Sequence, residues 1–325
     1  MFGWRPDIMS LLCVKALEAG IETEYVRNLI RKRDLIPGSP PLGCENWPWP
    51  LRICTLGRFA ILRDEEPISF GGKVQHKPME LLKAIISFGG KEVPKDALVD
   101  ILWPNAEGDM ARQAFDTTLH RLRRLVGNDK AIRLQGEQLS LDARYCWIDI
   151  RAFEYLYKKV EDLFKSIGEM ERGGKGEIAD TSLPPAPHPL CTPAQVAVLP
   201  LSQKAITLYS GSFLPSDTQC LWTVSTRERL RNKFHNICIM LGNYLEQRGQ
   251  WQKAVEHYLR AIEIDDLAEE FYRRLMVCYQ RLGQRAKAVE VYQRLKNILS
   301  VTFQIGPSPG THAIYRALLS EDAGT

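Results

Sequence analysis

Nowhere in the 325 residues is there a run of about 18 uncharged apolar residues, which excludes a membrane-spanning helix. The opening Met1-Phe2-Gly3-Trp4-Arg5-Pro6-Asp7 lacks a basic segment followed by an apolar run, so no secretory signal is read there. Charge of one sign is scarce too: 43 Lys and Arg against 39 Asp and Glu leave a net of only +4. Any basic surface must therefore be local. None of the eight cysteines (13, 44, 54, 146, 191, 220, 238, 278) forms a CxxC pair, and no histidine stands at zinc-finger distance from a cysteine pair. They are expected to be reduced and structural, with no metal site. GxSxG, HExxH, GxGxxG and GxxxxGK[ST] are all missing, and the six histidines share no ligand spacing. Gly71-Gly72-Lys73-Val74 resembles a phosphate loop only briefly, because Val74 stands where a metal-binding hydroxyl is needed. The expectation is a cytoplasmic, non-enzymatic protein without cofactors, of about two domains at roughly 150 residues each.

Composition changes along the chain. Residues 7–33 carry two short apolar patterns parted by Gly20, and Pro37 to Pro50 has five prolines, a linker composition. We read 1–46 as a short helical segment with its linker. Alternation of Leu51, Ile53, Thr55, Gly57, Phe59 and Ile61 predicts a half-buried strand, and a second short strand is expected at about 67–70. Helices are predicted from Pro78, from Pro94 and over about 109–126, the last ending at Gly127. Two short strands, Ala131–Leu134 and Gln138–Leu141, follow across Gly136. A third helix followed by a hairpin is the layout of a winged helix, here placed at 48–155.

Residues 166–200, with Gly173-Gly174, Gly176 and six prolines between 184 and 200, read as a linker. Beyond it the pattern is helical. Gly249 and Gly283 stand 34 residues apart, as do Ala254 and Ala288, Val255 and Val289, and Tyr258 and Tyr292, the spacing of tetratricopeptide repeats. Tyr244, Trp251, Tyr258, Tyr279 and Tyr292 read as packing between repeats rather than a ligand stripe. The fold class is thus mainly α, an N-terminal winged helix-turn-helix followed by an all-α, repeat-like domain at 201–320.

The 109–126 helix carries the chemistry. At 100° per residue Ala114, Phe115, Thr118, Leu119, Leu122, Leu125 and Val126 share one face, and Gln113, Asp116, Thr117, His120, Arg121 and Arg124 the other. Arginine can grip a guanine edge with two hydrogen bonds and glutamine an adenine edge, so this mixture suits major-groove reading. Arg112 and Arg123 flank the face, and Arg133 and Gln135 lie on the hairpin, positions suited to fixing register on phosphates. The bland alternative for the face is an ordinary solvated helix surface.

Leu51-Arg52-Ile53-Cys54-Thr55-Leu56-Gly57-Arg58-Phe59, Lys77-Pro78-Met79-Glu80-Leu81-Leu82, Leu102-Trp103-Pro104 and Leu119-His120-Arg121-Leu122-Arg123-Arg124-Leu125 resemble the SARP (AfsR/DnrI-like) type of bacterial activator. Leu208-Tyr209-Ser210-Gly211-Ser212-Phe213-Leu214-Pro215, Arg227-Glu228-Arg229-Leu230 and Gly306-Pro307-Ser308-Pro309 before Tyr315 extend the likeness over about 51–320. The resemblance implies a response-regulator-type winged helix and a bacterial transcriptional activation domain. It also implies tandem binding to direct repeats of double-stranded DNA near a promoter, a homo-oligomer on that DNA, and recruitment of RNA polymerase. Residues 1–46 resemble the joint between such modules and larger signalling chains. The alternative is a non-catalytic repeat scaffold whose winged helix binds protein.

Overall fold

A computed structural model describes residues 5–68, 76–173 and 192–320. The chain divides into two compact units, Met1–Leu156 with Ser212–Arg231, and Tyr157–Gly211 with Asn232–Thr325.

In the first unit α1 (Pro6–Glu18) and α2 (Thr23–Arg33) precede the proline-rich stretch. That stretch is no bare linker. Cys44, Trp47 and Trp49 are buried along it, and the Leu42 carbonyl accepts the Trp147 indole N–H at 3.1 Å. Its aromatics outweigh the prolines, which only set its extended path.

The alternating segment that reads as one strand is two. β1 (Leu51–Cys54) turns back into β2 (Ala60–Arg63), pairing Leu51 with Arg63 and Ile53 with Ile61. Gly57, at φ +76°, supplies left-handed backbone between them. β3 is Glu66–Pro67, and the rest of the expected 67–70 strand runs into residues 69–75, outside the described residues. Helices α3 (His76–Ser87), α4 (Lys95–Leu102) and α5 (Gly108–Val126) follow, with β4 (Val93–Pro94) just before α4. β5 (Ile132–Gln135) and β6 (Gln138–Leu141) form the hairpin, which β4 extends to three strands in the order β4-β6-β5. β7 (Cys146–Ile148) runs parallel to β1 and completes a four-stranded sheet, β3-β2-β1-β7. Leu82, Ile85, Leu98, Phe115, Leu119, Leu122, Ile132 and Leu139 are buried where the three helices meet the hairpin.

Asp149 fastens this sheet to the next helix. Its buried carboxylate accepts the Thr55 hydroxyl at 2.6 Å, the Leu56 and Ile150 amides at 2.7 and 2.8 Å, and the Thr55 amide. Burial pushes its pKa up, against the pull of those donors. Asp149→Asn puts an amide N–H where an acceptor is needed. It is expected to lower stability by about 1–3 kcal/mol, measured by denaturant unfolding of the full chain.

A later stretch returns to this unit. Leu56 bridges to Phe213, and the Leu214 amide donates to the Thr55 carbonyl at 2.9 Å. Lys83 on α3 meets both carboxylate oxygens of Asp217 at 2.8 Å. Ser87 donates to the Trp222 carbonyl, and Thr226 to that of Ser87, each at 2.8 Å. Arg227 secures the stretch itself through the carbonyls of Phe213, Leu214 and Asp217.

Much of the 166–200 stretch expected to be a linker is helical. α6 (Asp149–Gly173) continues to Gly173 because Phe153, Leu156, Val160 and Ile167 keep a buried stripe at three- and four-residue spacing. α7 (Pro193–Leu208) begins with Thr192 and Gln195 capping each other reciprocally, and Pro193 sits in the first turn, where its missing N–H costs nothing. Residues 174–191 lie outside the described residues.

In the second unit α8 (Val224–Gln247, its residues from Asn232 onward), α9 (Trp251–Ile264), α10 (Glu269–Arg281), α11 (Arg285–Phe303) and α12 (Pro309–Ser320) form the repeat. Gly249 and Gly283, at φ +67° and +70°, make equivalent turns before α9 and α11. Ala254, Tyr258, Ala288 and Tyr292 are all buried. A Cβ on Gly242 of α8 would lie 1.9 Å from the Tyr258 hydroxyl, which donates to Glu246 at 2.7 Å; the small residue makes room for the tyrosine. Tyr292 stacks on Tyr315, with centroids 3.9 Å apart. Glu269 accepts the Ser308 amide and hydroxyl at 2.8 and 2.5 Å and the Thr311 hydroxyl, which seats the Gly306-Pro307-Ser308-Pro309 turn against α10. Burial raises its pKa, but those hydrogen bonds outweigh it and hold the carboxyl below its ordinary value.

Candidate nucleic-acid interface

α5 is amphipathic as its sequence dictates. Ala111, Phe115, Thr118, Leu119, Leu122 and Val126 are buried, with Ala114 and Leu125 at the margin. Arg112, Gln113, Asp116, Thr117, His120, Arg121 and Arg124 are exposed, and Arg123 is half-buried. Gly127, at φ +69°, closes the helix, and Arg63 of β2 donates to the terminal carbonyls of Val126 (3.0 Å) and Leu125. A cation here also meets the negative end of the helix dipole. A side chain at position 127 would collide with Arg63, its Cβ 2.7 Å from the guanidinium carbon.

Intramolecular partners sort the polar residues. Arg123 donates to the Ile132 carbonyl at 3.2–3.3 Å and so ties α5 to the hairpin. Arg112 is 3.5 Å from Asp96. Thr117 returns its hydroxyl to the Gln113 carbonyl at 2.9 Å. Asp116 is held by Lys95 of α4 at 2.9 Å. Arg133 pairs with Asp142 at 3.2 Å, sharing it with Arg144 at 2.7 Å. The Arg144 guanidinium holds the Asp142 carboxyl below the usual carboxylate range. Arg121, Arg124 and His120 have no partner among the described residues and project their donors into solvent.

The hairpin turns over two residues, Gly136-Glu137, between the paired Gln135 and Gln138, with Gly136 at φ +59°. Beside it lies a groove of about 540 Å³ lined by Lys91, Arg133, Gln135, Arg144 and Arg151 among others. Arg151 is committed to the carbonyls of Leu141 and Gly90 at 2.9 and 2.6 Å.

Sequence reading missed Lys91, Lys95, Arg63 and Arg144. Lys95 and Arg63 meet partners from other elements, and Arg144 pairs with Asp142 two residues earlier in a turn, so no helical or strand pattern marks them. Among the described residues no cluster of His, Cys, Asp and Glu could hold a metal ion, and no helix is long and apolar enough to cross a membrane.

Residues 194–319 match the family model of the bacterial transcriptional activator domain. The fold is similar to that of Mycobacterium tuberculosis EmbR, solved in complex with a low-affinity phosphopeptide. That match has a TM-score of 0.54 at 16% identity, covers 84% of this chain and spans 65% of the EmbR chain. No curated protein matches the sequence. Residues 194–319 are thus similar to the bacterial transcriptional activator domain, and the fold, a winged helix followed by a helical-repeat domain, is similar to that of EmbR.

Proposed function

We propose that the chain is a sequence-specific, DNA-binding transcriptional activator, with α5 entering the major groove of double-stranded DNA. The observation that carries this reading is the outer face of α5. Arg121, Arg124 and His120 stand there exposed and without partners among the described residues, on a helix held at its end by Arg63 and at its side by Arg123. A helix so fixed presents donors without having to break internal bonds first. Gln113 on the same face supplies an amide suited to an adenine edge.

The remaining cations and Gln135 fit backbone contact. Arg112, Arg123, Arg133 and Gln135, with Lys91 and Arg144 beside the hairpin groove, would set register on phosphates. Arg112 and Arg133 stay at least half exposed in their pairs with Asp96 and Asp142, so their remaining donors can reach a phosphate. The helical domain would supply oligomerisation, tandem binding to direct repeats and contact with RNA polymerase, as the SARP resemblance implies; its likeness to the bacterial transcriptional activator domain supports an activating role.

Selection of bound sequences from random double-stranded DNA by the full chain tests the reading, and a common motif is the expected result. Affinity for that motif should fall with salt, the logarithmic slope steepening by about 0.9 for each phosphate neutralised. Absence of any motif, or a flat salt dependence, would instead favour a winged helix that binds protein.

A further inference from the structure

An acidic side chain on a DNA-facing helix works against binding, because it faces the same phosphates that its neighbours attract. Asp116 is such a residue. It lies on the exposed face of α5 beside Gln113, Thr117 and His120, with 60% of its side chain accessible. It is also the polar residue on that face that another element reaches to hold. Lys95, whose side chain is only 11% exposed, runs under α5 and places its ammonium 2.9 Å from Asp116 Oδ1 and 5.1 Å from the centre of the Phe115 ring. The Lys95 backbone amide donates to the Glu137 carbonyl at the hairpin turn, 2.8 Å away. One residue thus ties helix, hairpin and carboxylate together.

The lysine occupies Oδ1 and leaves Oδ2 without a hydrogen bond among the described residues. A carboxylate oxygen in the major groove needs a donor, and base edges offer two, the amino groups of cytosine and adenine. Adenine presents its amino group next to the N7 lone pair, which repels a carboxylate, whereas cytosine presents its own next to a C–H edge. Resting on the reading of α5 as the DNA-contacting helix, we propose that Asp116, oriented by Lys95, selects cytosine at one position of the binding site. Lys95 is a positioning residue, and its partial neutralisation of Asp116 offsets the repulsion from phosphate.

The experiment is selection from random double-stranded DNA by the full chain and its D116A, D116N and K95M variants, with thermal unfolding measured in parallel. The wild type should enrich a motif containing one cytosine that D116A reads at least about tenfold less selectively, while its preferences elsewhere persist. D116A should also bind random DNA more tightly, since a negative charge is gone. D116N should shift that position towards adenine, which pairs with an asparagine side chain. K95M keeps the apolar stem and should weaken the cytosine preference several-fold, with no further loss when combined with D116A. A motif unchanged in D116A overturns the proposal while leaving the DNA-binding reading intact. Erosion of every position together, in step with lost stability, also overturns it by making the pair structural. Failure of the wild type to enrich any motif removes the reading on which it rests.

Discussion

Arg121→Ala and Arg124→Ala are each expected to weaken binding to the selected motif by about 1–3 kcal/mol, roughly 5- to 150-fold, while binding to random DNA changes far less. The asymmetry follows from where the guanidinium groups stand. Both are exposed on the outer face of α5 and unpaired among the described residues, so truncation strands no acceptor there and opens no cavity. Unfolding midpoints should stay within about 0.5 kcal/mol of wild type. Arg123→Ala should behave in the opposite way. Its guanidinium serves the Ile132 carbonyl, so its loss should loosen the hairpin and lower stability before it affects base preference. Competition titrations against motif and random DNA, paired with denaturant melts, separate the two classes. Equal motif affinity in wild type, Arg121→Ala and Arg124→Ala would remove α5 as the reading element.

The second large effect concerns a residue that sequence order assigns to the other half of the chain. Phe213→Ala is expected to destabilise the winged-helix unit by about 3–5 kcal/mol, the cost of emptying a fully buried phenylalanine site. Phe213 is 0% exposed and bridges Leu56, itself buried beside β1. Amide hydrogen exchange is the informative measurement, because it locates the loss. Protection should fall first in β1, β2 and α3, although the substitution lies inside the segment that matches the activator-domain family. Loss confined to α9–α12 would contradict the assignment of Phe213 to the first unit. The same reasoning predicts that Lys83→Met and Asp217→Asn each cost more than an exposed ion pair would, since both side chains are about 15% exposed.

How much of this was legible in the sequence depends on how local each signal is. The α5 stripe, the Gly136 turn and the 34-residue recurrence of Gly, Ala, Val and Tyr are local and periodic, and the elements that they predict stand where expected. β7 escaped because three buried residues carry no alternation and pair in parallel with a strand 95 positions earlier, Cys146 against Leu51. The split of the 51–61 segment escaped because a hairpin whose strands both follow the same alternation looks like one longer strand. Proline misled twice. It marks 37–50 and, with glycine, 166–200 as linkers, whereas buried tryptophans anchor the first and a capping box at Thr192 starts a helix within the second. On the interface itself, side-chain type and exposure can be read from the 100°-per-residue pattern of α5. Which polar residues already hold a partner could not, because Lys95 and Arg63 reach α5 from other elements and Asp142 meets Arg133 only through the register of the hairpin.

The discontinuity of the first unit has a bearing on synthesis. Its two pieces end at Leu156 and Arg231, 75 residues apart (231 − 156), so the winged-helix unit stays incomplete after its own helices and hairpin have left the ribosome. At about 5–20 residues per second that interval is roughly 4–15 s. During it the Thr55-Leu56 segment after β1 and the surface of α3, which later receive Phe213, Asp217 and Trp222, lack their cover. A nascent chain arrested before residue 212 should therefore recruit chaperones that bind exposed apolar segments, and one arrested well past 231 should release them.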